Sequence, residues 1–219
     1  EWVSRIVIFS QDGQPQGTWG TKGSGDGELD GPSGLVFDAK GNLLVSDGNN
    51  HRIQRFTPEG VLISGFGTFG AGEGQLNQPW GITVDVHGAI FVADWRNDRI
   101  QQFTADGEWM ASFGQSGDGV GQFNRPNGVC VDDDGDIYVA DWLNNRVQVL
   151  APDGRFVTAL KGDHVMSQWG KDKLNSNPDM IRQRSLAFAN DPGYEQGLAH
   201  PCAVKIDSQG RIVIIDHTR

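Results

Sequence analysis

The chain has 219 residues, enough for one or two ordinary domains with a sizeable core. Its formal net charge of −10 works against broad contact with nucleic acid or anionic lipid, which needs a basic surface. No apolar run reaches the ~18 residues of a membrane-crossing helix, so no transmembrane helix is expected; 31 glycines beside 7 tryptophans favour short strands joined by tight turns.

The first residues, EWVSRIVIFSQDG, hold no Met and no apolar leader. They open on a strand-like run, Arg5 to Phe9, that ends in an Asp12-Gly13 turn. That run recurs. Arg5, Arg52, Arg99 and Arg146 follow one another at intervals of 47 residues and open RIVIF, RIQRF, RIQQF and RVQVL. Gly13, Gly60, Gly107 and Gly154 keep the same interval, as do Pro32, Pro79 and Pro126, and Asp47, Asp94 and Asp141. Such self-similarity marks a repeat architecture.

The unit reads most clearly over residues 79–114. PWGITVD is a first strand, Val86-His87-Gly88 a turn, and AIFVAD a second strand; WRND is a loop, RIQQF a third strand, TADG a turn, and EWMASFG a fourth. Four short strands with turn signals between them predict an antiparallel meander. One such sheet cannot bury both faces, but repeated sheets can stack face to face about an axis, as in a propeller. The expected class is therefore all-β.

GITVDVHGAIFVADWRNDRIQQF and GVCVDDDGDIYVADWLNNRVQVL resemble NHL repeats, the blades of six-bladed β-propellers. The resemblance covers residues 1–162 and 197–219. It rests on P-x-G-x-x-x-D, then I-x-V-A-D, then N-x-R-[IV]-Q. It implies four-stranded blades over 32–67, 79–114 and 126–162, with a fourth blade equivalent split between 1–20 and 197–219. Two arrangements fit the split. The end segments could form one composite blade that closes a ring of four, or each could belong to a longer six-bladed ring. The resemblance and the missing Met favour the second. Function does not follow from the likeness, because such propellers serve both as binding platforms and as enzymes.

In this meander the start of strand one and the loop after strand two lie on the same face. Ser33, Trp80, Asn127 and Cys202 follow the repeat Pro or its counterpart, and Gly48, Trp95, Trp142 and His217 follow the second-strand Asp. These eight positions are expected to rim one mouth of the central channel, where a variable, aromatic-rich ring could set specificity. The competing role for the tryptophans is to fill the wedges between blades.

Other motifs read as scaffold. Asp47/Arg52, Asp94/Arg99 and Asp141/Arg146 recur in every unit, whereas chemistry needs one differentiated site; a carboxylate holding loop N–H groups and a forked guanidinium suit a structural role. Asp132-Asp133-Asp134-Gly135 resembles the start of a calcium loop but occupies the ordinary strand-one turn and lacks the Glu at position twelve. The acidic glycine-rich stretches Gly23 to Gly27 and Gly70 to Gly74 are connectors, not phosphate cradles. Cys130 and Cys202 make no disulfide framework, and Cys130 reads as a small buried hydrophobe.

Pro126 and Pro201 stand 75 residues apart, 28 more than the period, which places an insertion at 163–196. Asn177-Pro178-Asp179 is a helix start, and Met180 to Ala189 can continue it. Lys171, Lys173, Arg182 and Arg184 make the segment locally basic. It could dock a partner, close as a lid, or simply cap the propeller.

These readings favour a binding platform that presents Trp80, Trp95, Trp142, Ser33, Asn127, His217 and the basic insertion to a protein or peptide, with a small ligand as the other candidate. An enzyme is disfavoured. The peptide-amidating lyase of this family places zinc-binding His directly after the repeat Pro, and Ser33, Trp80, Asn127 and Cys202 stand there instead. Lactonases of similar build converge carboxylates and amides on a channel calcium, yet no repeat here carries an inward acid its siblings lack. No catalytic residue, metal or cofactor is expected. RNA binding, known for some animal NHL propellers through a basic face, has only the insertion to support it. The compartment is not legible.

Overall fold

A computed structural model describes residues 4–162, 182 and 197–217. The first strands are β1 (Ile6–Phe9) and β2 (Pro15–Trp19). Three sets of four follow: β3 (Pro32–Phe37), β4 (Leu43–Asp47), β5 (Arg52–Phe56) and β6 (Leu62–Phe66); β7 (Pro79–Val84), β8 (Ile90–Asp94), β9 (Arg99–Phe103) and β10 (Trp109–Phe113); β11 (Pro126–Val131), β12 (Ile137–Asp141), β13 (Arg146–Leu150) and β14 (Phe156–Leu160). The last pair is β15 (Pro201–Ile206) and β16 (Ile212–Asp216). Each set of four is an antiparallel sheet in sequence order. The half-blades β1–β2 and β15–β16 form separate two-stranded sheets, and among the described residues no ladder joins β1 to β16. No helix among the described residues is long and apolar enough to cross a membrane.

Alternation along the second strand of each sheet assigns its side chains to two different cores. Leu43 and Val45 of β4 pack with Phe56, Leu29, Ile6 and Trp19 on one side, while Leu44 packs with Ile82, Ile90, Val92 and Phe103 of the next sheet on the other. One sheet on, Ile90 and Val92 face backward and Phe91 and Ala93 face forward, against Val129, Ile137 and Val139. Side chains at successive strand positions point to opposite faces, so a strand sandwiched between two blades must be apolar at every step. This explains why β4 and β8 are buried throughout. Leu76 and Phe123 of the connectors are fully buried beneath these layers. Truncating such a Phe costs about 3–5 kcal/mol, so each inter-blade layer carries a large part of the stability.

The innermost strands approach one another closely because of one glycine per repeat. A Cβ on Gly81 would lie 2.5 Å from the Asn127 carbonyl oxygen of the next sheet. One on Gly128 would lie 2.9 Å from the Cα of Ala203. The glycine of the P-x-G motif is thus a packing requirement, since a methyl group here meets backbone that cannot swing away.

The segment between strands two and three, read above as a loop, is a single 3-10 turn in each sheet: Gly48–Asn50, Trp95–Asn97 and Trp142–Asn144. His51, Asp98 and Asn145 end these turns in the left-handed region and then latch the next blade. His51 Nδ1 accepts the Gln78 N–H at 3.1 Å, Asp98 Oδ1 accepts that of Arg125 at 2.8 Å, and Asn145 Oδ1 accepts that of His200 at 3.0 Å.

Two measurements follow from this packing. Gly81→Ala should lower the unfolding free energy by about 1–3 kcal/mol in a urea titration, the usual cost of overpacking. The latch at His51 should be pH-sensitive. Burial, and then the nearby Arg96 charge, lower the His51 pKa against a smaller opposing pull from Asp94. The neutral ring is therefore the folded form, and Nδ1 must stay unprotonated to accept the Gln78 N–H. Its stabilising contribution is complete above the ordinary His value of about 6.5 and is lost as pH falls through the lower folded value. His51→Asn, which copies Asn145, should remove this part of the acid-side loss in thermal melts taken from pH 7 to pH 5.

Candidate functional site

In each complete sheet one buried carboxylate organises the loops that carry the candidate residues. Asp94 is fully buried; its Oδ1 accepts the Asn77 N–H at 2.7 Å, and its Oδ2 accepts from Arg99 Nε at 2.8 Å, Asn97 Nδ2 at 2.9 Å and Gln101 Nε2 at 3.1 Å. Arg99 reaches on to the carbonyls of Gly72 and Gln75 in the connector, and Gln101 Oε1 accepts the Gly74 N–H. Burial pushes the Asp94 pKa upward, while the Asn77 N–H, Asn97 and Arg99 pull it back.

Asp47 repeats the arrangement with the Asp30 N–H, Asn50, Arg52 and Gln54, and Asp141 with the Asn124 N–H, Asn144, Arg146 and Gln148. Asp216 accepts the Ala199 N–H at 2.7 Å. These carboxylates thus have their donors within the fold. They also fix the start of the 3-10 turn, where the next side chain emerges.

At two of those turns that side chain is tryptophan. The Trp95 ring lies 5.7 Å from Trp80, which begins the same sheet, and 6.3 Å from Trp142 of the following sheet. Trp142 in turn lies 5.4 Å from His200, just before β15. Trp80 is 38% exposed, and Trp95, Trp142 and His200 are half-buried. The rings are tilted by 37°, 39° and 51° and form one continuous row across three consecutive sheets. Two arginines flank its middle: the Cζ of Arg125 lies 5.1 Å, and that of Arg96 5.5 Å, from the Trp95 centroid. Arg125 is held by the carbonyl of Arg96 at 3.1 Å and by Asp98 at 3.3 Å.

The remaining candidates divide. Ser33 donates its hydroxyl to the Pro79 carbonyl at 2.9 Å, so it bridges sheets. Asn127 is 8% exposed, and its Oδ1 has no hydrogen-bond partner among the described residues. Cys202 Sγ contacts the Ile215 carbonyl at 3.5 Å, and the exposed His217 N–H donates to the His200 carbonyl. Gly48 supplies no ring, so the row begins at Trp80. Arg182 is helical and exposed, whereas Lys171, Lys173 and Arg184 lie outside the described residues.

Three residues absent from the sequence reading complete the row: Arg96, Arg125 and His200. Arg125 and His200 share one place in the repeat: like Gln78, each directly precedes the repeat Pro and adopts positive φ, a conformation that the spacing alone does not reveal.

Elsewhere, the calcium-like cluster is an ordinary turn. Asp132 Oδ1 accepts the N–H groups of Asp134 and Asp136, as Asp85 Oδ1 does those of His87 and Ala89, and Asp132 Oδ2 accepts the Tyr138 hydroxyl. Cys130 is 3% exposed, and burial pushes its thiol up to about 12, out of the range of a reactive thiolate.

Comparison with known proteins agrees with this geometry. The NHL repeat model matches residues 29–56, 76–103 and 123–150, the spans from connector plug to third strand in the three complete sheets. Over 47 residues the chain is 47% identical to protein lin-41 of Caenorhabditis elegans, a match covering 22% of this chain and 4% of that protein. Among solved structures it is similar to virginiamycin B lyase from Staphylococcus aureus, with a TM-score of 0.62 at 14% identity, covering 99% of this chain and 57% of the lyase. It is also similar to a chain of a nidogen/laminin complex, with a TM-score of 0.60 at 21% identity, covering 94% and 61%. The chain thus spans little more than half of these propellers, and the two structural likenesses concern fold alone. Period, sheet geometry and repeat match together place the chain among the NHL-repeat β-propeller proteins.

Proposed function

We propose that the chain is a recognition module that binds an extended protein or peptide segment along the Trp80–Trp95–Trp142–His200 row. The observation that carries this reading is the row's continuity. Four rings from three successive units line one face, each within 6.3 Å of the next, with two guanidinium groups beside Trp95. Trp and Arg are enriched at protein interfaces, Trp because it presents a large contact area with only two rotatable bonds and Arg because its planar guanidinium both stacks and donates hydrogen bonds. Their support beneath is rigid, so little side-chain freedom is lost on binding. A similarly folded chain occurs in a nidogen/laminin complex, and that supports a protein partner.

In this reading the basic residues Lys171, Lys173, Arg182 and Arg184 add charge that favours an acidic partner segment. β14 ends at Leu160, which pairs with Val147 one residue from Arg146, at the end of the sheet where the row lies. Beyond β14, the Leu198 N–H donates to the Lys161 carbonyl at 2.6 Å.

The test is selection of binding peptides from a displayed library against the full chain, followed by affinity measurement on variants. Trp95→Ala and Trp142→Ala should each weaken binding by about 30-fold, the scale of an interface hot spot. Circular dichroism should remain that of the parent chain. Unchanged affinity in both variants would reduce the row to inter-blade packing.

A further inference from the structure

On the opposite face, equivalent inter-blade clefts lie in two successive repeats, and they differ in one informative way. The first lies between the β3–β6 and β7–β10 sheets and measures about 80 Å³. Arg55 of β5 reaches into it: its Nε lies 3.5 Å from Asp38 Oδ2, and its terminal nitrogen donates to the Ala105 carbonyl of the neighbouring sheet. The cleft one repeat on lies between the β7–β10 and β11–β14 sheets and is lined at the equivalent positions: Asp85 for Asp38, Pro152 for Ala105, His87 for Lys40. Gln102 stands in place of Arg55, and this cleft measures about 220 Å³.

The substitution removes the cation and leaves its acceptors behind. Asp85 keeps the turn geometry of Asp38, with Oδ1 committed to the N–H groups of His87 and Ala89. It has no ion-pair partner among the described residues. The walls now carry Asp85, Asp132, Asp133 and Asp134 with no Lys or Arg, over an apolar floor of Phe91 and Ile137. In the first cleft Asp38 and Asp106 are balanced by Lys40 and Arg55. The protein therefore contains, in its own first cleft, an occupied version of its second. Its occupant is a guanidinium group that donates to the Ala105 carbonyl while its charge lies at ion-pair distance from Asp38.

We propose that the second cleft receives the arginine side chain of a partner protein, with the guanidinium between Asp85 and the Pro152 carbonyl as Arg55 lies between Asp38 and Ala105. This site is independent of the aromatic row and lies across the sheets from it.

The test is nuclear magnetic resonance titration of the full chain with N-acetyl-arginine amide, and with N-acetyl-lysine amide as a second probe. Backbone signals of His87, Gln102 and Gly135 should shift saturably with the arginine probe, with a Kd in the millimolar range. Asp85→Asn keeps the Oδ1 acceptor of the turn and should weaken binding about tenfold, the scale of one charge-assisted hydrogen bond. Gln102→Arg supplies the guanidinium internally, as Arg55 does, and should abolish the shifts while keeping or raising the Tm. Three outcomes would overturn the proposal: no saturable shift, shifts that persist in Gln102→Arg, or a lysine probe that binds as tightly as the arginine one.

Discussion

One buried carboxylate per repeat governs how this molecule is built. Asp47, Asp94 and Asp141 are removed from water and would be costly there without partners. Each gathers a connector N–H, an asparagine, a glutamine and an arginine, and the arginine and glutamine then seize connector carbonyls. The network ties the second strand, the 3-10 turn, the third strand and the acidic connector into one unit. Removing a single partner would leave a buried charge uncompensated, which costs about 3–5 kcal/mol in comparable cases. A repeat that relies on such a device cannot vary it, and this is why the same four residue types return in all three sheets.

The residue that follows the carboxylate is free to vary because its own side chain lies outside the network. Gly48, Trp95 and Trp142 occupy that place in successive sheets, and the two indoles reach one another because their backbones are held identically. The site is thus an outgrowth of the scaffold's regularity. The repeat sets Trp95 and Trp142 6.3 Å apart in neighbouring sheets, and Trp80, from the first strand of the Trp95 sheet, extends the row at 5.7 Å. Where the regularity is altered, as from Arg55 to Gln102, the change stays local and the cleft there is larger.

Much of this was legible in the sequence. The period of 47, the alternation in IFVAD and the P-x-G motif determine the strands, their order and the tight inner packing, because each follows from local chemistry repeated at a fixed interval. Trp80, Trp95 and Trp142 could be assigned to one face for the same reason. Arg125 and His200 could not be placed beside them from spacing alone, since their direction depends on a left-handed backbone one residue before a proline, imposed by the latch from the preceding blade. The 3-10 turn after strand two was likewise hidden, because Trp-Arg-Asn has no strong helical signal; its geometry comes from the carboxylate beneath it. The cleft at Gln102 requires knowing that position 55 of the preceding repeat points across the sheet boundary, a tertiary fact. The helix expected over Met180 to Ala189 lies, apart from Arg182, outside the described residues.

The central claim is that the carboxylate-supported row is the surface partners use. It is tested most directly by photo-crosslinking, with p-benzoylphenylalanine placed at position 95 in one variant and at position 157, on the outer strand β14, in another. A bound peptide should be captured from position 95 and not from position 157. Capture from position 157 alone would show that recognition takes place on the outer strands and that the tryptophans serve only to pack one blade against the next.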